Sequence, residues 1–112
     1  MAVTITEQTY SSVKKIDFDW TTTGSTGGTT VNSYDGAVLR VLSYATATTG
    51  GTLTIADEDG YDILLGRGTF TSGESYLGTT DGRSPISAIA ESTLTYTVAS
   101  TGGTGHCIVY VR

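Results

Sequence analysis

Apolar and polar residues alternate along much of this chain with a period of two, the pattern of a strand with one buried and one solvated face. The period starts at once, with Val3 and Ile5 set against Thr4 and Thr6. It returns over residues 13–20, where Ile16, Phe18 and Trp20 share one side and Lys15, Asp17 and Asp19 the other. Leu94, Tyr96 and Val98 alternate with Thr93, Thr95 and Thr97, and the chain closes with Cys107, Val109 and Val111 opposed to Ile108 and Tyr110. Residues 37–44 break the rule, since only Arg40 and Ser43 interrupt an apolar run, and this predicts a strand covered on both faces. Residues 53–55 and 61–65 flank Asp59-Gly60, which predicts a hairpin.

Glycine and threonine fill the intervals. Residues 21–33 carry a lone Val31 and no period, and read as a mobile loop. Over 66–83 the pattern dissolves around the isolated anchors Phe70, Tyr76 and Leu77. Turns are predicted at Tyr34-Asp-Gly36, at residues 48–51 and at residues 100–105. Pro85 opens the apolar stretch Ile86 to Ile89, and residues 87–92 could hold one helical turn. The fold class that follows is all-β: a compact β-sandwich or jelly-roll-like domain of about 7–9 short antiparallel strands with little or no helix. One domain spans residues 1–112, with 1–10 as an edge strand or docking arm. Phe18, Trp20, Leu39, Val41, Ile55, Leu94 and Ile108 are the expected core, shared between two facing sheets.

Composition narrows the function. Charged residues make up 15% of the chain, well under the usual ~25%, and 15 glycines with many threonines and serines take their place. The surface is thus neutral and hydroxyl-rich. A net charge of -5 repels phosphate backbones, which argues against nucleic-acid binding. The single cysteine, Cys107, has no intramolecular partner, so stability has to come from packing or association. No apolar run approaches the ~20 residues of a membrane span and no signal-peptide core follows Met1, so a soluble product is expected, with no membrane partner.

Candidate chemistry is sparse. Asp57-Glu-Asp-Gly-Tyr-Asp62 imitates the start of a calcium loop, but strands replace the flanking helices and Leu64, Leu65 and Gly66 stand where a bidentate glutamate would follow. The plainer reading is a tight turn with positive φ at Asp59-Gly60 and solvated acids around it. His106 and Cys107 are adjacent on a strand, point to opposite faces and cannot act as a dyad. No serine lies in a nucleophile-elbow context around this single histidine. Asp17 and Asp19, ~7 Å apart on one strand face, read as solvated, with nothing near to desolvate them. Residues 24–28 and 102–105 lack the lysine and helix of a phosphate cradle and read as flexible connections. No enzyme activity, cofactor or metal site is expected.

The stretches Val3 to Trp20, Asp57 to Gly66 and Val98 to Arg112 resemble small virion proteins of tailed bacteriophages, in particular the capsid decoration, or cement, proteins. That resemblance spans both ends and the middle of the chain and rests on strand and turn patterns without a catalytic signature. It implies a compact β domain, often a trimer, that is made in the host cytoplasm and binds the major capsid protein on the outside of the head. The strands near both termini carry little lysine and no proline, which suits an edge covered by a neighbour. Val3, Ile5, Tyr10, Tyr34 and Tyr76 are the candidate shell or subunit contacts. Two alternatives stand beside this: another phage head or tail component, and a carbohydrate- or receptor-binding module that stacks its ligand on tyrosines near loops, such as Tyr34, Tyr61 and Tyr76.

Overall fold

In the computed structural model, which describes residues 2–21, 24–46, 50–79, 89–100 and 102–112, the alternating segments become strands of two packed sheets. In chain order these are β1 (Ala2–Tyr10), β2 (Val13–Thr21), β3 (Gly24–Thr29), β4 (Gly36–Thr46), β5 (Gly51–Ala56), β6 (Thr69–Phe70), β7 (Gly73–Tyr76), β8 (Ile89–Ala90), β9 (Thr95–Ser100) and β10 (Thr104–Val111). One sheet runs β1-β2-β10-β4-β7, with the two-residue β8 added beside the start of β4, and the other runs β3-β9-β5-β6. The ladders are antiparallel and no helix occurs among the described residues. The fold is a β-sandwich, as the alternation predicts.

The core forms where the inward faces meet. Ile16, Phe18 and Trp20 of β2, Val38, Val41 and Ala45 of β4, and Cys107, Val109 and Val111 of β10 are buried together with Leu53, Ile55, Phe70, Leu94, Tyr96 and Val98. Phe18 stacks on Tyr96 with ring centroids 4.5 Å apart, which ties the two sheets at mid-sandwich. Leu39 and Ile108, expected in the core, are only half-buried. The cause for Leu39 is a bulge: Arg40 pairs with Tyr110 and Val38 with Val111, so one residue of β4 has no partner and the inward set slips from Val38 to Val41. Ile108 lies on the outward face of β10, whose inward face is that of Cys107, Val109 and Val111.

Other expectations need correction. Residues 24–29, placed in a mobile loop, form an edge strand paired with β9. Glycine there serves close approach, since a Cβ on Gly27 would lie 2.4 Å from the Tyr96 carbonyl oxygen. Thr104 and Gly105 likewise belong to β10 rather than to a flexible connection. The interval 66–79 contains β6 and β7, which bury Phe70 beside the core and place Leu77 just after them. The 53–65 hairpin shrinks to one bridge between Ala56 and Asp62, followed by turns. Within the expected helical turn, residues 89–90 are β8; residues 87–88, with Pro85 and Ile86, lie outside the described residues, as do 48–49.

β1 is a fully paired edge strand rather than a free arm. Nine residues, Ala2 to Tyr10, pair with Thr21 to Val13 through a two-residue turn in which Ser11 takes φ 55°. Ile5 packs against the core, and the Glu7 side chain is fixed to the segment between β3 and β4.

Candidate functional site

Register on the first sheet dictates what its outward face presents. With Phe18, Trp20, Cys107, Val109, Val41 and Ala45 turned inward, the intervening residues point out and line up in rows across the strands. Thr4, Asp19, His106, Tyr44 and Glu74 form one row. Thr6, Asp17, Ile108, Leu42 and Tyr76 form the next, and Gln8, Lys15, Tyr110 and Arg40 a third. The middle row, with Ile108, Leu42 and Tyr76, is unusually apolar for the open face of a sandwich. Tyr44 and Tyr76 are exposed, while Leu42, Ile108 and Tyr110 are half-buried only by their neighbours. The Arg40 guanidinium lies 4.7 Å from the Tyr110 ring centroid, covering that ring with a cation.

At the end of this face a groove of about 410 Å³ is lined by Thr4, Asp19, Thr21, Tyr44, Thr46, Thr104 and His106, with Trp20 showing through beside Gly105. His106 stands at its floor with Tyr44 on one side, ring centroids 5.8 Å apart, and Asp19 on the other, Nδ1 to Oδ1 3.7 Å. The Thr46 and Thr104 hydroxyls meet at 3.3 Å on the rim. His106 and Cys107 point to opposite sides, as strand geometry requires, and burial pushes the Cys107 thiol far up.

Asp17 departs from its expected solvated state. It is half-buried, its Oδ1 is shielded from solvent and accepts no hydrogen bond, and its carboxyl is raised first by that burial and then by the charge of Asp19. His106 and Lys15 pull in the opposite direction without cancelling the effect. The desolvation comes from the neighbouring strands, whose identity spacing within β2 could not reveal.

The acidic turn is structural. Asp57 Oδ1 accepts the backbone N–H groups of Asp59 and Tyr61, both at 3.0 Å. Asp62 accepts three more, from Ile55 at 3.1 Å and from Leu64 and Gly66 at 3.0 Å. These acids hold the turn together instead of lying free in solvent, and of the Asp59-Gly60 pair only Gly60 has positive φ, 86°. The turn displays Tyr61 and Leu65 to solvent.

The five candidate contact residues do not gather. Tyr34 is buried, and its hydroxyl donates to Glu7 at 2.7 Å, so it offers no platform to a partner. Ile5 faces the core, and Val3 pairs with Trp20 in the ladder while its side chain lies outside the described residues. Tyr10 and Tyr76 are exposed at opposite edges of the outer sheet face. Tyr44, Tyr110, Leu42 and Arg40 were not anticipated as surface. For Leu42 and Tyr44 the signal was the apolar outer half of residues 37–44, which the buried Ser43 and the bulge disguised as a strand covered twice. Comparison with protein families, curated proteins and solved structures returned no match for this chain.

Proposed function

We propose that this chain is a structural virion protein without catalytic activity, which attaches to the outside of an assembled phage capsid through the outer face of its five-stranded sheet and stabilises the shell. The observation that carries the reading is the row of Leu42, Ile108 and Tyr76, flanked by Tyr44 and Tyr110, on a face that a free-standing sandwich would keep polar. Tyrosine and arginine beside aliphatic side chains are the composition of protein contact surfaces. The net charge of -5 adds to this by disfavouring packaged DNA as the partner, and the sequence resemblance to decoration proteins supplies the capsid. Self-association, with a trimer as the expected order, would repeat one patch around a symmetry axis of the shell. The partner is the major capsid protein. Purified heads lacking this protein should retain it on co-sedimentation, and Leu42→Asp with Tyr76→Ser should reduce retention at least tenfold without lowering the melting temperature. Undiminished retention of that variant would refute the contact face.

A second reading is favoured by the groove. Tyr44 beside the hydroxyls of Thr4, Thr46 and Thr104 offers a stacking platform with hydrogen-bonding groups, the elements of a carbohydrate site. Glycan-array binding that is lost in Tyr44→Ser, together with no attachment to heads, would favour a receptor- or carbohydrate-binding module.

A further inference from the structure

We propose that Asp17, Asp19 and His106 form a site for one divalent transition-metal ion of the zinc class, opening into the threonine-lined groove. Each residue offers one ligand atom, and the three atoms lie within 4.8 Å of one another. Their arrangement follows from the ladder. Asp17 and Asp19 share a face of β2 because they are two residues apart, and the β10 register sets His106 directly opposite Asp19.

A tetrahedral ion with bonds of about 2.1 Å keeps its ligands roughly 3.4 Å apart. The 3.7 Å between His106 Nδ1 and Asp19 Oδ1 is already close to that, and the set closes by small rotamer changes on exposed or half-buried side chains. The backbone, held in two ladders, need not move.

The surroundings of Asp17 point to a cation as well. Asp17 Oδ1 has neither solvent nor a hydrogen-bond donor, although a half-buried carboxylate ordinarily recruits one. Asp19 stands two residues away on the same strand face, so two acids are held together there by the ladder. No lysine or arginine bridges either acid among the described residues; His106 alone reaches Asp19. A divalent ion would supply the missing partner for Asp17 Oδ1 and neutralise the pair.

The ligand types choose the ion. Calcium and magnesium take six or more oxygen ligands or retain much of their water, whereas two carboxylates with an imidazole nitrogen suit zinc, cobalt or nickel. Cys107 points into the core and cannot join the set. The groove beside His106 leaves room for a further ligand, such as water, at the open position. Tyr44 packs against the imidazole and restricts its swing. Bound there, the ion would clamp β2 to β10 on the surface that the proposed function uses, but the site does not depend on that function.

The test uses the full chain, stripped with chelator and titrated with zinc chloride by calorimetry, with cobalt chloride as a spectroscopic probe. One ion per chain is expected, with a rise in melting temperature and cobalt d–d bands of a four-coordinate site. His106→Gln and Asp17→Asn should each weaken zinc binding at least tenfold, and Glu58→Gln, in the acidic turn, should leave it unchanged. Absence of zinc binding at millimolar concentration would overturn the proposal. So would binding undiminished in Asp17→Asn, or calcium binding as tight as zinc and indifferent to His106→Gln. If either variant melts far below the parent, crystals soaked in zinc and measured at its absorption edge decide instead: density between the three side chains supports the site, and none there removes it.

Discussion

Glu7 is the residue whose role differs most from its place in the sequence pattern. It occupies an inward register position opposite Ile16, where an apolar residue would be expected, and it is kept there by three donors. The backbone N–H of Val31 reaches Oε2 at 3.1 Å, while the N–H of Asn32 at 3.0 Å and the Tyr34 hydroxyl at 2.7 Å reach Oε1. Burial acts to raise its carboxyl, but the hydrogen bonds from Tyr34, Asn32 and Val31 together outweigh it and leave the group below the ordinary glutamate range. A lowered acid means that folding favours the ionised form. Its stabilisation is therefore complete above the unfolded-state glutamate value and is lost as pH falls through the lower folded-state value. Glu7→Gln should cost about 1–2 kcal/mol at neutral pH, since the charge-assisted bonds are partly screened by solvent. Melts of parent and variant from pH 7 to pH 3 should converge at the acid end; a constant gap would assign the loss to shape rather than charge. Asp62, with three backbone donors, belongs to the same class, and Asp62→Ala should destabilise the turn by about 1–3 kcal/mol in denaturant titration.

Whole elements were legible wherever alternation was strong. β2, β9 and β10 follow from their apolar residues at every second position, because a one-residue slip would turn Ile16, Phe18 and Trp20 into solvent. β3 was illegible because its residues, Gly24 to Thr29, carry no apolar side chain at all, and only its ladder to β9 makes it a strand. The outer face was hidden for a different reason. Its rows are built across five strands, and the neighbours of Asp17, Tyr44 or Leu42 are fixed by a topology that local spacing does not contain. Gly105 shows the same dependence on neighbours, since a Cβ there would lie 2.7 Å from the Trp20 ring and 2.7 Å from the Tyr44 carbonyl oxygen. Gly105→Ala should cost about 1–3 kcal/mol through overpacking and should disturb the near-UV signal of Trp20. A variant that melts like the parent would mean that β10 moves away from Trp20 easily. β1 carries its own consequence: removal of residues 2–9 takes away the Ile5 contact and the Glu7 bonds, so it should lower the melting temperature, instead of affecting attachment alone.

At the scale of the molecule, the two sheets divide the work. The inner faces provide stability, and Phe18→Ala, which would empty a fully buried site and break the stack on Tyr96, should cost about 3–5 kcal/mol, a large part of what a domain of this size possesses. The outer face of the five-stranded sheet carries the proposed attachment, and its composition makes a prediction about salt. Leu42, Ile108, Tyr44, Tyr76 and Tyr110 contribute apolar and aromatic area, with Arg40 engaged by Tyr110 and few other cations near. A contact of that kind is driven by burial of surface, which ordinary salt leaves nearly unchanged, whereas attachment through exposed charges weakens as the Debye length falls from about 10 Å at 0.1 M to about 3 Å at 1 M. Retention on capsids lacking the protein should therefore change less than threefold between 0.1 M and 0.5 M sodium chloride. The same retention should fall at least tenfold when Tyr44 and Tyr76 are both replaced by serine, at either salt concentration. Retention that collapses with salt while tolerating both serines would move the contact to the acidic turn around Asp57 and Glu58, and the sheet face would lose its proposed role.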